Sequence, residues 1–318
     1  MIFDGAGVGV LVLVLILFVW LVRRIWRVKR PALRWLAVVP AGIVTLIMAA
    51  VLGLALLGYA KLNAKHDNPP TAIQVTSTPD VIARGEKLAY VCASCHSSPP
   101  GQLPLTGQNF GESGPPVGTL YAPNLTPVHL AEWTDGEIAR AIREGIHKNG
   151  RSLIIMPSAG FRNLSDADLR AILAYLRAQP ATGPPSPATH INLLGAAMIG
   201  AFPLLSAQPP ISAAVSAPPE GATAEYGRYL SNVLGCAECH GHDLKGMSAG
   251  GPGPPPGPDL TRLSMTWSEA DFIVAIRSGK TPDGRTLGSG MPWKDISTFA
   301  SDEDLRALYL FLSMLQSH

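Results

Sequence analysis

The pattern of apolar and polar positions changes character along this chain. From Gly5 to Val22 and again from Trp35 to Tyr59 it is almost uniformly apolar, and each run is near the roughly 20 residues an α-helix needs to cross a bilayer. Both are expected to be transmembrane helices. After Asp80, read as an N-cap, short amphipathic stretches follow. Two of them carry apolar residues at helical spacing: Leu169, Ile172, Leu173 and Leu176, and later Leu305, Leu308, Leu312 and Leu315. Thr134 with Glu137, Ser165 with Asp168, Ser268 with Asp271 and Ser301 with Asp304 each fit a capping box at a helix start. The pattern thus predicts an all-α chain, with a two-helix membrane hairpin ahead of small helical domains.

These amphipathic elements occur twice. Asn124-Leu125-Thr126 answers Asp259-Leu260-Thr261, Trp133 answers Trp267, and Ala141-Ile142-Arg143 answers Ala275-Ile276-Arg277. Gly145 answers Gly279, Met156-Pro157 answers Met291-Pro292, and Asp168-Leu169-Arg170 answers Asp304-Leu305-Arg306. A near-constant offset over six matches is the mark of one fold used twice. The expected layout is a hairpin over residues 1–62, a tether over 63–79, a first domain over 80–180, a linker over 181–223 and a second domain over 224–318. Gly85 and Gly227 sit where a closing helix can approach the first helix of each domain. Within the proline-rich linker, Ile191 to Leu205 is nearly uncharged and apolar but short for a span. It is expected to be buried against the two domains or a neighbouring subunit, in preference to a membrane surface.

Charge orients the hairpin. Arg23, Arg24, Arg27, Lys29, Arg30 and Arg34 lie between the two apolar runs with no acid among them, while Asp4 precedes the first run and Lys61 and Lys65 follow the second. By the positive-inside rule the connector is cytoplasmic and both ends lie outside. A cleaved signal peptide would carry its positive charge before the apolar core, whereas here it follows. Pro40 is placed near the start of the second run, where a missing N–H costs little. The net charge of +2 comes from the anchor, because residues 218–318 hold eight basic and twelve acidic groups. That last region offers an acidic face to a basic partner, or simply a solvated surface.

All four cysteines fall in Cys92-Ala93-Ser94-Cys95-His96 and Cys236-Ala237-Glu238-Cys239-His240. The C-x-x-C-H spacing is that of covalent haem attachment, with two thioethers to the vinyl groups and the histidine under the iron. Half a zinc site or a redox dithiol is the alternative reading, but neither motif has a second ligand pair close by. Two covalently bound haem c groups are therefore expected. An iron that only passes electrons needs a sixth ligand. Met156 is the one methionine between anchor and linker, and Met291 repeats its Met-Pro context, unlike Met247 and Met265. His129, His147 and His242 remain nitrogen alternatives that would lower the potential. The carbonyls of Pro123 and Pro258 are candidate acceptors for the proximal imidazoles. Trp133, Trp267, Arg151 and Arg285 are candidate propionate contacts.

Taken together, C-x-x-C-H, a loop ending Pro-Asn-Leu-Thr, a Trp-Thr/Ser helix start, Met-Pro and a closing Asp-Leu-Arg-Ala helix resemble the class I cytochrome c domain. The chain is similar in particular to the multihaem cytochrome subunits of membrane-bound alcohol and gluconate dehydrogenases. The resemblance covers residues 80–180 and 224–318. It implies a helical fold around each haem, His96 and His240 proximal, and Met156 and Met291 distal. It also implies attachment to the bacterial cytoplasmic membrane with the haem domains on the periplasmic side. The expected function is relay of single electrons between a donor and an acceptor protein. The hairpin would join other subunits of a respiratory, photosynthetic or dehydrogenase complex, and no nucleic-acid partner is expected. A dihaem peroxidase is the competing expectation, and it requires one iron to lack its sixth ligand. An assembly subunit whose hairpin holds a complex together is a third.

Overall fold

The computed structural model describes residues 5–112, 116–248, 256–288 and 290–315; Asp4, which entered the charge argument, lies outside them. The chain divides into two compact bodies. One comprises Met1–Lys65, Asn109–Tyr121 and Pro187–Leu205, the other His66–Gln108, Ala122–Ser186 and Ser206–His318.

The first body is built on α1 (Gly5–Ile25) and α2 (Pro31–Asn63), both long and apolar enough to cross a membrane. Pro31, not Pro40, occupies the first turn of α2, where the lost donor is cheap. Pro40 lies inside the helix, an interior position that removes one i→i−4 bond. Later in the chain, Gly118–Thr119 pairs antiparallel with His190–Ile191.

The second body contains both repeats. The first runs α3 (Pro79–His96), α4 (Pro127–Leu130), α5 (Asp135–Glu144), α6 (Ser158–Phe161) and α7 (Asp166–Ala178). Thr78 caps α3 by accepting from the Val81 N–H, so Asp80 is not the cap. Pro79 takes the first helical position, and the Asp80 carboxylate falls in the first turn, where the helix dipole favours it. The linker then supplies α8 (Leu193–Ala201) to the first body. The second repeat runs α9 (Ala224–Val233), α10 (Cys236–His240), α11 (Leu263–Thr266), α12 (Glu269–Ser278), α13 (Trp293–Phe299) and α14 (Asp302–Met314). α3 is continuous into its cysteine motif. The matching stretch is broken between α9 and α10, where Gly235 turns left-handed at φ 67°.

Each repeat closes by packing its last helix on its first. A methyl group on Gly85 would overlap the Ala171 carbonyl of α7, and one on Gly227 the Ala307 carbonyl of α14. Around these crossings Leu88, Leu169, Leu173, Leu176, Leu230 and Leu305 are almost fully buried. Such side chains stabilise the packed state by roughly 1.5–3 kcal/mol each relative to exposure.

Three of the four expected capping boxes form, at Thr134, Ser268 and Ser301. The fourth forms by half. Ser165 accepts from the Asp168 N–H at 3.0 Å, but the Asp168 carboxylate turns to Arg84 and to the Tyr229 hydroxyl of the second repeat. The Tyr229 oxygen accepts the vacated Ser165 N–H at 3.1 Å.

The segments read as tether and linker are not free. The His66 N–H donates to the Gly150 carbonyl at 2.8 Å, and Arg140 donates to the carbonyls of Asn68, His147 and Lys148. Ile73 and Val75 pack on the core. On the linker side, Asn124 Nδ2 donates to the carbonyls of Thr182 and Pro184, and Glu144 accepts from the Ile211 N–H at 3.0 Å. Extended backbone needs partners wherever it is covered, and buried side chains of the first repeat provide them.

The apolar linker segment is buried in part as expected: Ile191 pairs with Gly118 and Gly195 packs on Val117, both in the stretch read as the first domain. Its helix α8 packs along the last turns of α2, with Gly58 against the Ala196 carbonyl and Gly200 against the Leu54 carbonyl. Small residues at the crossing let the two backbones meet.

Candidate haem-binding sites

Cys92, Cys95 and His96 occupy the last turn of α3, and Cys236, Cys239 and His240 form α10. All four thiols are free, which is the state that thioether formation requires. Burial pushes the Cys92 thiol up to about 12, so it is a poor thiolate for zinc or for disulfide exchange. Among the described residues no group of three or more His, Cys, Asp and Glu side chains could hold a metal ion. Among the described residues neither motif thus has the further ligands of a closed zinc site.

Both histidines are buried, with 8% and 6% of their surface exposed. His96 Nδ1 stands 2.8 Å from the Pro123 carbonyl and His240 Nδ1 2.7 Å from the Pro258 carbonyl. A carbonyl only accepts, so each Nδ1 carries a proton and Nε2 is the nitrogen left to bind a metal. For His96, burial lowers the pKa against the opposing pull of the Pro123 bond, which favours the neutral ring.

The loops that offer those carbonyls are braced alike. The Gly107 N–H donates to the His96 carbonyl at 2.7 Å and the Leu125 N–H to the Leu105 carbonyl at 2.8 Å. In the second repeat Gly246 donates to His240 and Leu260 to Leu244, both at 2.8 Å. Gly107 and Gly246 have φ of 88° and 89°, where side chains are disfavoured. The sequence pattern did not single out this pair, nor Gly257, where a Cβ would stand 2.6 Å from His240 Nδ1.

On the methionine side the repeats match in detail. The Met156 carbonyl accepts from the Ser158 N–H and the Met291 carbonyl from the Trp293 N–H, each at 2.8 Å. Pro157 and Pro292 between them have φ, ψ of −78°, 53° and −79°, 50°. These are inverse γ-turns whose φ the proline ring sets in advance. Met156 and Met291 are half-buried against the core. Met247 and Met265, the other candidates of the second repeat, are 45% and 65% exposed.

Of the nitrogen alternatives, His242 is exposed, and His129 and His147 flank the Trp133 ring at 6.2 and 4.8 Å between centroids. Arg285, a propionate candidate, pairs with Asp283 at 2.6 Å. Arg143 and Arg277, noted in sequence only as a match, are structural. Arg143 donates to Asp166 and the Leu164 carbonyl, and Arg277 to Asp302 and the carbonyls of Ser297 and Ala300. In each repeat this arginine ties the middle helix to the start of the closing one.

A helical unit whose first and last helices pack together, and which carries a C-x-x-C-H histidine bonded to a proline carbonyl and a Met-Pro turn, has the parts of a c-type cytochrome domain. The chain belongs to the family described as cytochrome c oxidase, cbb3-type, subunit III, whose model matches residues 81–176 and 222–312. Among curated relatives it is 30% identical over 268 residues to a subunit of the nicotinate dehydrogenase of Pseudomonas putida, covering 74% of this chain and 21% of that protein. It is 28% identical over 309 residues to the cytochrome c subunit of alcohol dehydrogenase (quinone) of Gluconobacter oxydans, covering 84% and 59%. It is 29% identical over 271 residues to a dihaem cytochrome c-type protein of Cereibacter sphaeroides, covering 75% and 89%. The chain thus spans about a fifth and about three fifths of the first two relatives and most of the third.

Proposed function

We propose that the protein is a membrane-anchored dihaem cytochrome c that relays single electrons on the outer face of a bacterial cytoplasmic membrane. Cys92 and Cys95 would hold one haem and Cys236 and Cys239 the other, with His96 and Met156 as the iron-binding side chains of the first and His240 and Met291 those of the second. When bound, each haem supplies a one-electron couple between ferrous and ferric iron. The carbonyls of Pro123 and Pro258 fix the imidazole tautomers, and the Met-Pro turns position a soft sulfur in each repeat.

The observation that carries this reading is the duplication of both halves of the site: a histidine Nδ1 on a proline carbonyl and a methionine in an inverse γ-turn, in each repeat. A complete pair of axial candidates in both repeats supports relay over peroxide chemistry. The two apolar helices with a basic connector support anchoring by α1 and α2, with the connector in the cytoplasm and the haem domains outside. The naming of several relatives as cytochrome subunits of dehydrogenases supports a place as the electron-transfer subunit of such a complex. There the hairpin would dock to membrane partners, and separate proteins would act as donor and acceptor.

Haem stoichiometry tests the reading. The intact chain is expected to carry a mass increment of two haems, and a Cys92→Ala, Cys95→Ala variant one. A single haem on the intact chain would overturn it.

A further inference from the structure

In the hairpin body α2 is 33 residues long and α1 is 21, so α2 outruns its antiparallel partner by twelve residues, about 18 Å of helix. Over that excess, α8 takes the place that α1 holds lower down. α2 and α8 run in opposite directions here, since Gly58 meets Ala196 and Leu54 meets Gly200. The contact is fixed at both ends of α8. Asn192 caps its N-terminus through the Gly195 N–H at 3.0 Å, and Lys61 Nζ donates to the Gly200 carbonyl at 2.9 Å at its C-terminus. Ala55, Gly58, Tyr59 and Leu62 of α2 and Ala196, Ile199 and Gly200 of α8 are buried, and Gly195 is covered by Val117.

What this packing leaves outward is apolar. Leu54, Leu56 and Leu57 on α2, together with Leu194 and Phe202 on and just past α8, are exposed, the last two by 47% and 38%. α8 carries no charge or polar side chain along its length. This surface continues the apolar surface of α1 and α2 without a break in α2.

We infer that α8 and Phe202 form a third membrane-contacting segment, an interfacial helix embedded in the outer leaflet beside the end of α2. The partner is lipid, with acyl chains against Leu194 and Phe202. The inference rests on the anchoring reading above. It adds that the linker between the two cytochrome repeats is itself held at the membrane, so that the chain returns to the bilayer midway along its outer part.

The test uses the full haem-loaded chain reconstituted in vesicles of phosphatidylethanolamine and phosphatidylglycerol that contain a phospholipid with a photoreactive diazirine in its acyl chain. Label is then mapped by peptide mass spectrometry. The expected result is label on residues 193–202 as well as on α1 and α2, and none on 206–215. A Leu194→Asp, Phe202→Asp variant should lose the α8 label and keep that on α1, since carboxylates are expelled from the acyl region. Label on α1 and α2 with none on 193–202 would overturn the inference and leave the anchor intact. Absence of label from all three helices would overturn the anchor and this inference with it.

Discussion

At the residue scale the two irons of the proposed relay would be controlled by a few atoms. Methionine sulfur stabilises ferrous iron relative to imidazole, so Met156→His is expected to lower the midpoint potential of one haem alone in a spectroelectrochemical titration; an unchanged potential would show the ligand to be misassigned. Ile155, the neighbour of Met156, holds φ at 53°, a left-handed conformation that costs a β-branched residue on the order of 1–2 kcal/mol. Because Ile155 is largely exposed, Ile155→Gly should raise the denaturation midpoint, by about 1 kcal/mol of stability. The methionines were legible because Met-Pro fixes a turn locally. Gly107 and Gly246 were not, because they lie eleven residues after His96 and six after His240, which breaks the constant offset that exposed the other matches. Their shared role rests on hydrogen bonds to the histidine carbonyls, which no spacing rule encodes.

At the element scale the repeats share a scaffold but not a first helix. α3 runs unbroken into its motif, while Gly235 separates α9 from α10. In both, glycine at the helix crossing is the narrowest point, so Gly85→Ala and Gly227→Ala should each destabilise their repeat by about 1–3 kcal/mol through overpacking. Hydrogen exchange resolved along each repeat would check this, and the effect should be largest in the altered repeat. Amphipathic periodicity and capping residues made the helices legible. The fate of the proline-rich segments was not, because composition describes a chain without partners, whereas here Arg140, Asn124 and Glu144 reach out from the first repeat to satisfy it. The difference between Asn124 and its counterpart Asp259 follows: only an amide can donate to the Thr182 and Pro184 carbonyls. Arg140→Ala should therefore speed hydrogen exchange over residues 66–68 and 147–150 and cost about 1–3 kcal/mol.

At the scale of the whole molecule, the two repeats meet through reciprocal contacts from equivalent positions. Lys87, two residues after Gly85, reaches Asp304 at 2.8 Å, and Tyr229, two residues after Gly227, reaches Asp168. Each partner acid opens the closing helix of the other repeat, the self-complementary arrangement of a two-fold interface. Burial raises the Asp304 carboxyl, but hydrogen bonds from Lys87 and Ser301 outweigh it and hold the group below the ordinary carboxylate range. A depressed folded pKa gives stability that is complete above the unfolded value, near 4, and is lost as pH falls through the folded one. Acid should thus weaken the pairing of the repeats. Asp304→Asn should flatten the pH dependence of stability below about pH 4, as read from denaturant midpoints, whereas an unchanged slope would place the acid sensitivity elsewhere.

The account as a whole requires two irons each held by one imidazole and one thioether. The near-infrared spectrum of the oxidised protein reports that directly through the sulfur-to-iron charge-transfer band. The expected intensity is that of two methionine-ligated haems per chain, with no high-spin component. A band of half that intensity, or a high-spin iron that turns over peroxide, would contradict it.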